Sequence, residues 1–199
     1  MEIRQKFVVE QPVGIVWAAL SDIRLVAACM PGAEVVSVSD DETEVEGRMR
    51  AKVGPISAAF GGRGKVVRNA ADHTGVFEGS GADKNNGSRV QVSLTYALEP
   101  GDGGKSTATS IVAGVVLAGP LAQFGKGALI NEIATHMTQQ FTNNLRQRLE
   151  AAAKESESID AVTPVLRATG AGELRPIELL IAILKGRLRR FFTWGGQRH

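Results

Sequence analysis

Bond-making chemistry needs side chains that hold protons, electrons or metals, and this chain of 199 residues carries few. Imidazole can come only from His73, His136 and His199. These fall in a predicted turn, in a predicted helix and at the last position, with no spacing that chelates a metal. A lone helical histidine is ordinarily a structural or surface residue, so His136, beside Met137, is read that way, with pocket lining as its competing role. Cys29 is the single cysteine. It allows no intramolecular disulfide and no multi-cysteine metal or iron–sulfur site within one chain, and it fits a reducing compartment. Placed just before Met30-Pro31-Gly32, it reads as a small buried apolar residue. Two glycine–lysine pairs imitate phosphate loops: Gly64-Lys65 runs into Val66 within a predicted strand, and Gly119 to Gly125-Lys126-Gly127 lacks the Ser or Thr that would hold magnesium. Tyr96 is the only tyrosine, and no paired carboxylates share an inward face. The residues point to binding more than to catalysis.

The elements that would shape such a site follow from periodicity. Ile3 to Glu10 reads as a strand, and Pro12 opens a short amphipathic helix through Val13, Val16, Trp17 and Leu20. Asp22 caps a second short helix, which ends before Pro31-Gly32. From Ala33 the period becomes two, most plainly from Glu44 to Val53, then at Ile56, Ala58 and Phe60 and from Val90 to Leu98. Gly54-Pro55, Asn85-Asn86-Gly87 and Gly101-Asp102-Gly103-Gly104 supply turns, giving an antiparallel meander of six strands that closes with Ser106 to Leu117. After Gly119-Pro120 a 3.6-residue period runs through Leu121, Phe124, Ile130, Ala134, Met137, Phe141, Leu145 and Leu149. A helix of roughly 30 residues spans about 45 Å, the width of a seven-stranded sheet. The expected fold is α+β of the helix-grip (START-like) kind: a seven-stranded antiparallel curved sheet around a long C-terminal helix.

A bent sheet gripped by one helix leaves a void, and Ala51, Ala58, Gly62 and Gly64 are too small to fill it; Gly61-Gly62-Arg63-Gly64 would bend the sheet around it. The expected lining is Phe60, Phe77, Val92, Leu94, Tyr96 and Leu117 from strands, with Phe124, Ile130, Ala134, Met137 and Phe141 from the helical segment. Such an apolar pocket suits lipids, isoprenoids or polycyclic ligands.

The domain is expected to cover residues 1–153, followed by a linker over 154–173, rich in Ala, Ser, Glu, Thr and Gly, and a tail over 174–199. Charge is divided to match: net −1 over 1–153 and net +3 beyond, with five cations and no acid from Lys185 onward. A formal net charge of +2 does not imply nucleic acid. In the tail, Ile177, Leu180, Ile181, Leu184, Leu188, Phe191 and Phe192 form one apolar stripe of a helical wheel, flanked by Lys185, Arg187, Arg189 and Arg190 and ended by Trp194. That is an interfacial-helix pattern. The same stripe fits a groove on another protein, while the clustered arginines favour anionic lipid. The longest apolar run, Leu179 to Leu184, is too short to span a bilayer, and the N-terminus lacks a secretory pattern, so the expected location is the cytoplasm, peripheral on the cytoplasmic face of the membrane.

Pro12 with Val16-Trp17-Ala18-Ala19-Leu20, Asp22, Cys29-Met30-Pro31-Gly32-Ala33, Lys52-Val53-Gly54-Pro55 and Gly119-Pro120-Leu121-Ala122-Gln123-Phe124 together resemble the carbon monoxide dehydrogenase G-subunit family of the START-like (SRPBCC) superfamily, over residues 1–150. The resemblance implies an accessory protein that brings a molybdenum-containing carbon monoxide dehydrogenase to the cytoplasmic membrane. It implies no catalytic residues and no covalently bound cofactor, but a hydrophobic cavity whose natural ligand is a respiratory polyprenyl quinone, menaquinone or ubiquinone. A recruitment adaptor without ligand transport, and a polyketide-cyclase-like enzyme, are the competing readings.

Overall fold

The computed structural model describes residues 2–53, 56–124 and 128–160. Strand β1 (Glu2–Val9) is followed by α1 (Val13–Ser21) and α2 (Ile23–Cys29), and then by β2 (Ala33–Val38), β3 (Glu44–Val53), β4 (Ile56–Asn69), β5 (Thr74–Ala82), β6 (Arg89–Gly101) and β7 (Ser106–Ala118). A 3₁₀ turn, Pro120–Phe124, precedes the long helix α3 (Ala128–Asp160). The sheet order is β1-β7-β6-β5-β4-β3-β2, antiparallel throughout, so six strands form a meander and β1 returns to its far edge beside β7. The described residues up to Leu145 form one compact unit, and α3 from Arg146 onward belongs to a second.

Local chemistry accounts for the element ends. Asp22 ends α1 and begins α2, its Oδ1 accepting from the Leu25 N–H at 3.0 Å. The expected helix after Pro120 starts later, at Ala128: Gly119, Gly125 and Gly127 oppose helix over that stretch, and Gly119 itself takes a positive φ of 78°. At its other end α3 runs beyond Ala153 to Asp160, so 154–160 are helical where a linker was expected. Ala, Lys and Glu are good helix formers, and no proline interrupts residues 154–163. The tail stripe and its arginines fall on residues outside the described ones.

The inner face of the sheet reads as transverse rows, because register puts facing residues side by side. Val9 and Phe7 on β1, Thr107 and Thr109 on β7 and Leu98 on β6 are buried, together with Val16 and Ala19 of α1, Leu25 and Cys29 of α2, and Phe141 and Leu145 of α3. This is the packed end. Phe141 meets Phe7 edge-on, with ring centroids 5.9 Å apart, and Asn144 Nδ2 donates to the Cys29 carbonyl at 2.9 Å.

Glycines allow the close approaches on β4 and β5. A Cβ on Gly62 would collide with the backbone of Ser80 and Gly81, whereas one on Gly64 would collide with the ring of Phe77 and touch Val45 Cγ1, both side chains. Backbone cannot yield and a ring can swing. We therefore expect Gly62→Ala to cost about 2–3 kcal/mol and Gly64→Ala about 1 kcal/mol in urea unfolding. Equal losses would contradict this account of the close approaches.

Candidate functional site

Beyond the packed end, the inner rows stay half-covered. Val66, Phe77 and Leu94 form one row with buried Ala113; Val45, Gly64, Gly79, Val92 and Val115 form the next; Gly62, Gly81, Val90 and Leu117 the one after. Phe60 and Met49 pair farther on. The Phe77 ring lies across Gly64 and Gly79, whose missing side chains give it a seat. The result is a shallow apolar basin with aromatic rings laid against its wall. Part of the room left by Gly64 is thereby filled, where the sequence suggested open void.

Helix α3 is held against the β1 side of this face in a definite direction. Phe141 contacts Phe7 at the packed end, and Thr135 Oγ1 accepts from Gln5 Nε2 at 3.2 Å one row closer to the basin. The preceding turns carry Ile130, Ala134 and Met137, each half-covered. Of the expected lining, Phe60, Phe77, Val92, Leu94, Tyr96 and Leu117 thus point to the inner face, and Ile130, Ala134 and Met137 are half-covered on the helix. Phe141 differs: at 6% exposure it belongs to the packed core. Phe124 closes the 3₁₀ turn. His136 is exposed, its Nε2 2.8 Å from Gln140 Nε2.

Between packed end and basin runs one polar row: Arg68, Gly75, Tyr96, Ile111 and Gln5. A Cβ on Gly75 would strike the Tyr96 ring and hydroxyl, so the bare glycine lets the phenol lie across β5 towards Arg68. Burial pushes the Tyr96 phenol above its usual value, and the guanidinium partly offsets this. The phenol therefore keeps its proton at neutral pH. Trp17 of α1 stands beside it at 6.3 Å between ring centroids, and His73 packs edge-on to Trp17 at 5.4 Å. Arg68, Trp17 and His73 were missed in the sequence; Arg68 shares the parity of Gly64 and Val66, which would have placed it inward.

The described cavities open elsewhere. A groove of about 1000 Å³ is lined chiefly by outward residues of adjacent rows, among them Glu44, Glu46, Arg63, Lys65, Glu78 and Gln91, and a second of about 620 Å³ adjoins it around Arg89 and Ala118. Their mixed charge makes them poor sites for an apolar ligand. Among the described residues, no group of His, Cys, Asp and Glu could hold a metal, and no inward strand position carries a carboxylate.

The basin's outer rim is tied down at one corner by Asp83. Its carboxylate accepts from the Ala59 N–H at 2.9 Å, the Asn85 N–H at 2.9 Å and Asn86 Nδ2 at 3.1 Å, while Ser88 Oγ accepts from the Leu121 N–H at 3.2 Å. The β5–β6 turn thus clasps both β4 and the 3₁₀ turn leading to α3. The carboxylate is 2% exposed, covered by its own turn rather than sunk in the interior.

The family model for the G subunit of carbon monoxide dehydrogenase (CoxG) matches residues 6–150, most of the chain and all seven strands in part or whole. The chain belongs to this family. Solved structures share its fold. A conserved protein from Geobacillus kaustophilus aligns with TM-score 0.65 and 12% identity, covering 76% of this chain and 97% of its own. TTHA0849 from Thermus thermophilus aligns with TM-score 0.57 and 14% identity, covering 76% and 99%. The di-domain aromatase/cyclase BexL from the BE-7585A biosynthetic pathway aligns with TM-score 0.51 and 12% identity, covering 78% of this chain and 48% of its own. At such identities the likeness speaks for the helix-grip architecture alone. No curated protein sequence matches the chain.

The amide donors at Asp83, Ala59 first and Asn85 next, hold its carboxyl below the usual carboxylate value of 3.8. A depressed folded-state pKa stabilises above the unfolded value, and that stability drains away as pH falls from there through the folded value. Asp83→Asn is expected to melt lower at pH 7 and to lose less Tm between pH 5 and 3 than the parent, with Asp41, also depressed, supplying the remaining acid sensitivity. Parallel Tm–pH curves for the two proteins would remove Asp83 from the clasp.

Proposed function

We propose that this CoxG family member is a non-enzymatic carrier of an apolar ligand, a respiratory polyprenyl quinone, which it takes from the cytoplasmic membrane and presents to a molybdenum-containing carbon monoxide dehydrogenase. The observation that carries this is the half-covered apolar basin on the inner face of the sheet, free of inward carboxylates among the described residues. An isoprenoid chain needs such a surface to leave the bilayer, since each CH₂ moved into water costs about 0.8 kcal/mol. The family links the chain to the dehydrogenase, and electrons from a soluble dehydrogenase must reach a quinone confined to lipid. Menaquinone and ubiquinone both satisfy the chemistry. Catalysis of the cyclase kind would need acids or bases facing the ligand, and the inner strand positions supply only Tyr96 and Arg68 as ionisable groups.

The tail supplies the membrane half of the reading from its composition, an apolar stripe with basic flanks. At about 1 kcal/mol per juxtamembrane cation, changing Arg187, Arg189 and Arg190 to Glu in the full chain should weaken flotation with anionic vesicles on the order of a hundredfold. Unchanged flotation would assign the contact to another part of the molecule.

For the ligand, the full-length protein purified without detergent is expected to yield near-stoichiometric polyprenyl quinone on organic extraction and mass spectrometry. An empty protein that still floats with vesicles would favour a recruitment adaptor instead.

A further inference from the structure

The polar row at the boundary of the basin contains an unfinished set of hydrogen bonds. Tyr96 Oη and Arg68 Nε are both shut away from solvent, and neither has a hydrogen-bond partner of acceptable geometry. Arg68 is otherwise anchored, its Nη1 donating to the Glu42 carbonyl at 2.8 Å. The guanidinium carries only donors, so the phenol oxygen facing it can serve only as acceptor there, and the phenol proton is left without a destination. One row nearer the core, diagonal to Tyr96, Thr109 Oγ1 is likewise buried without a partner. Buried polar groups are nearly always satisfied, and leaving one unpaired costs about 1–3 kcal/mol, so orphaned donors gathered on one row call for a missing acceptor.

That row is placed to meet a ligand. Tyr96 lies two residues from Leu94 along β6, on the same face, and Phe77 pairs with Leu94. A molecule lying on Phe77 and Leu94 therefore reaches Tyr96 before it reaches the packed core. On the opposite side Trp17 and His73 close the corner. We propose that Tyr96 Oη and Arg68 Nε form the polar end of the basin, donating hydrogen bonds to a carbonyl oxygen at the tip of an otherwise apolar ligand. This rests on the carrier reading and adds to it which end of the ligand enters first: the ring carbonyl goes to the row and the hydrocarbon chain stays in the basin. A quinone meets the requirement with two ring carbonyls, and a hydrocarbon meets only half of it.

The test compares menaquinone-4 with squalene, a headless isoprenoid, for binding to the full-length protein, read by extraction and mass spectrometry after equilibration. Tyr96→Phe and Arg68→Met should each weaken menaquinone-4 about tenfold, as expected for one lost hydrogen bond in a dry site, and leave squalene unchanged. In the ligand-free protein Tyr96→Phe should keep or raise Tm, because it deletes an unpaired buried hydroxyl without changing shape. A clear fall in Tm would show that the hydroxyl has a structural partner and overturn the proposal. Equal weakening of both probes, or no weakening of menaquinone-4, would overturn it while leaving the carrier intact. If the unaltered protein binds neither probe, the carrier reading falls and the polar end falls with it.

Discussion

Everything on the inner face of this sheet depends on where β4 and β5 have no side chains. Gly64 and Gly79 let the Phe77 ring lie flat, and Gly75 lets Tyr96 cross to Arg68. With side chains at those positions the rings would stand upright into the space beneath α3. The glycines carry the entropic cost of leaving strand positions bare, and in exchange the sheet acquires a smooth wall. At Gly62 the close approach is of backbone to backbone, to Ser80 and Gly81 on β5.

The same surface is graded from one end to the other. Buried aliphatic and aromatic residues with α1, α2 and the Phe141–Leu145 turn make a rigid block; a single polar row follows; then the half-covered apolar rows. A fully packed core would leave no room for a guest, and a fully open sheet would not hold its helix. Phe141 and Asn144, near the middle of α3, anchor the helix to the packed end, and the turns before them carry the half-covered Ile130, Ala134 and Met137.

Strand parity carried much of this in the sequence. Alternation in β3, β4 and β6 is strict enough that Phe60, Val92, Leu94 and Tyr96 could be placed inward without coordinates, and the antiparallel meander with its closing helix followed from turn residues and a change of period. Register was the illegible part. That Gly75 faces Tyr96 on one side and Arg68 on the other depends on hairpin lengths that turn chemistry only brackets, so the polar row stayed hidden. Trp17 and His73 meet because α1 lies against the β4–β5 turn, a tertiary contact with no local signal. The apolar period places the helix start earlier than Ala128 because Leu121 and Phe124 keep the spacing, while Gly125 and Gly127 are poor helix formers by sequence.

The order of the strands also bears on how the molecule comes to exist. Strands β2 to β7 join neighbours through short connections and can form by successive local hairpins, whereas Glu2 pairs with Gly114 and Val9 with Thr107, closing a loop of roughly a hundred residues. During synthesis β1 emerges first and must wait, unpaired, until β7 has been made. Gln5, which completes the polar row, and Phe7, which receives Phe141, both lie on that waiting strand. The chamber's closed end thus cannot be completed before β7 and α3 have been made, whereas the rows on β2 to β6 need only strands synthesised earlier.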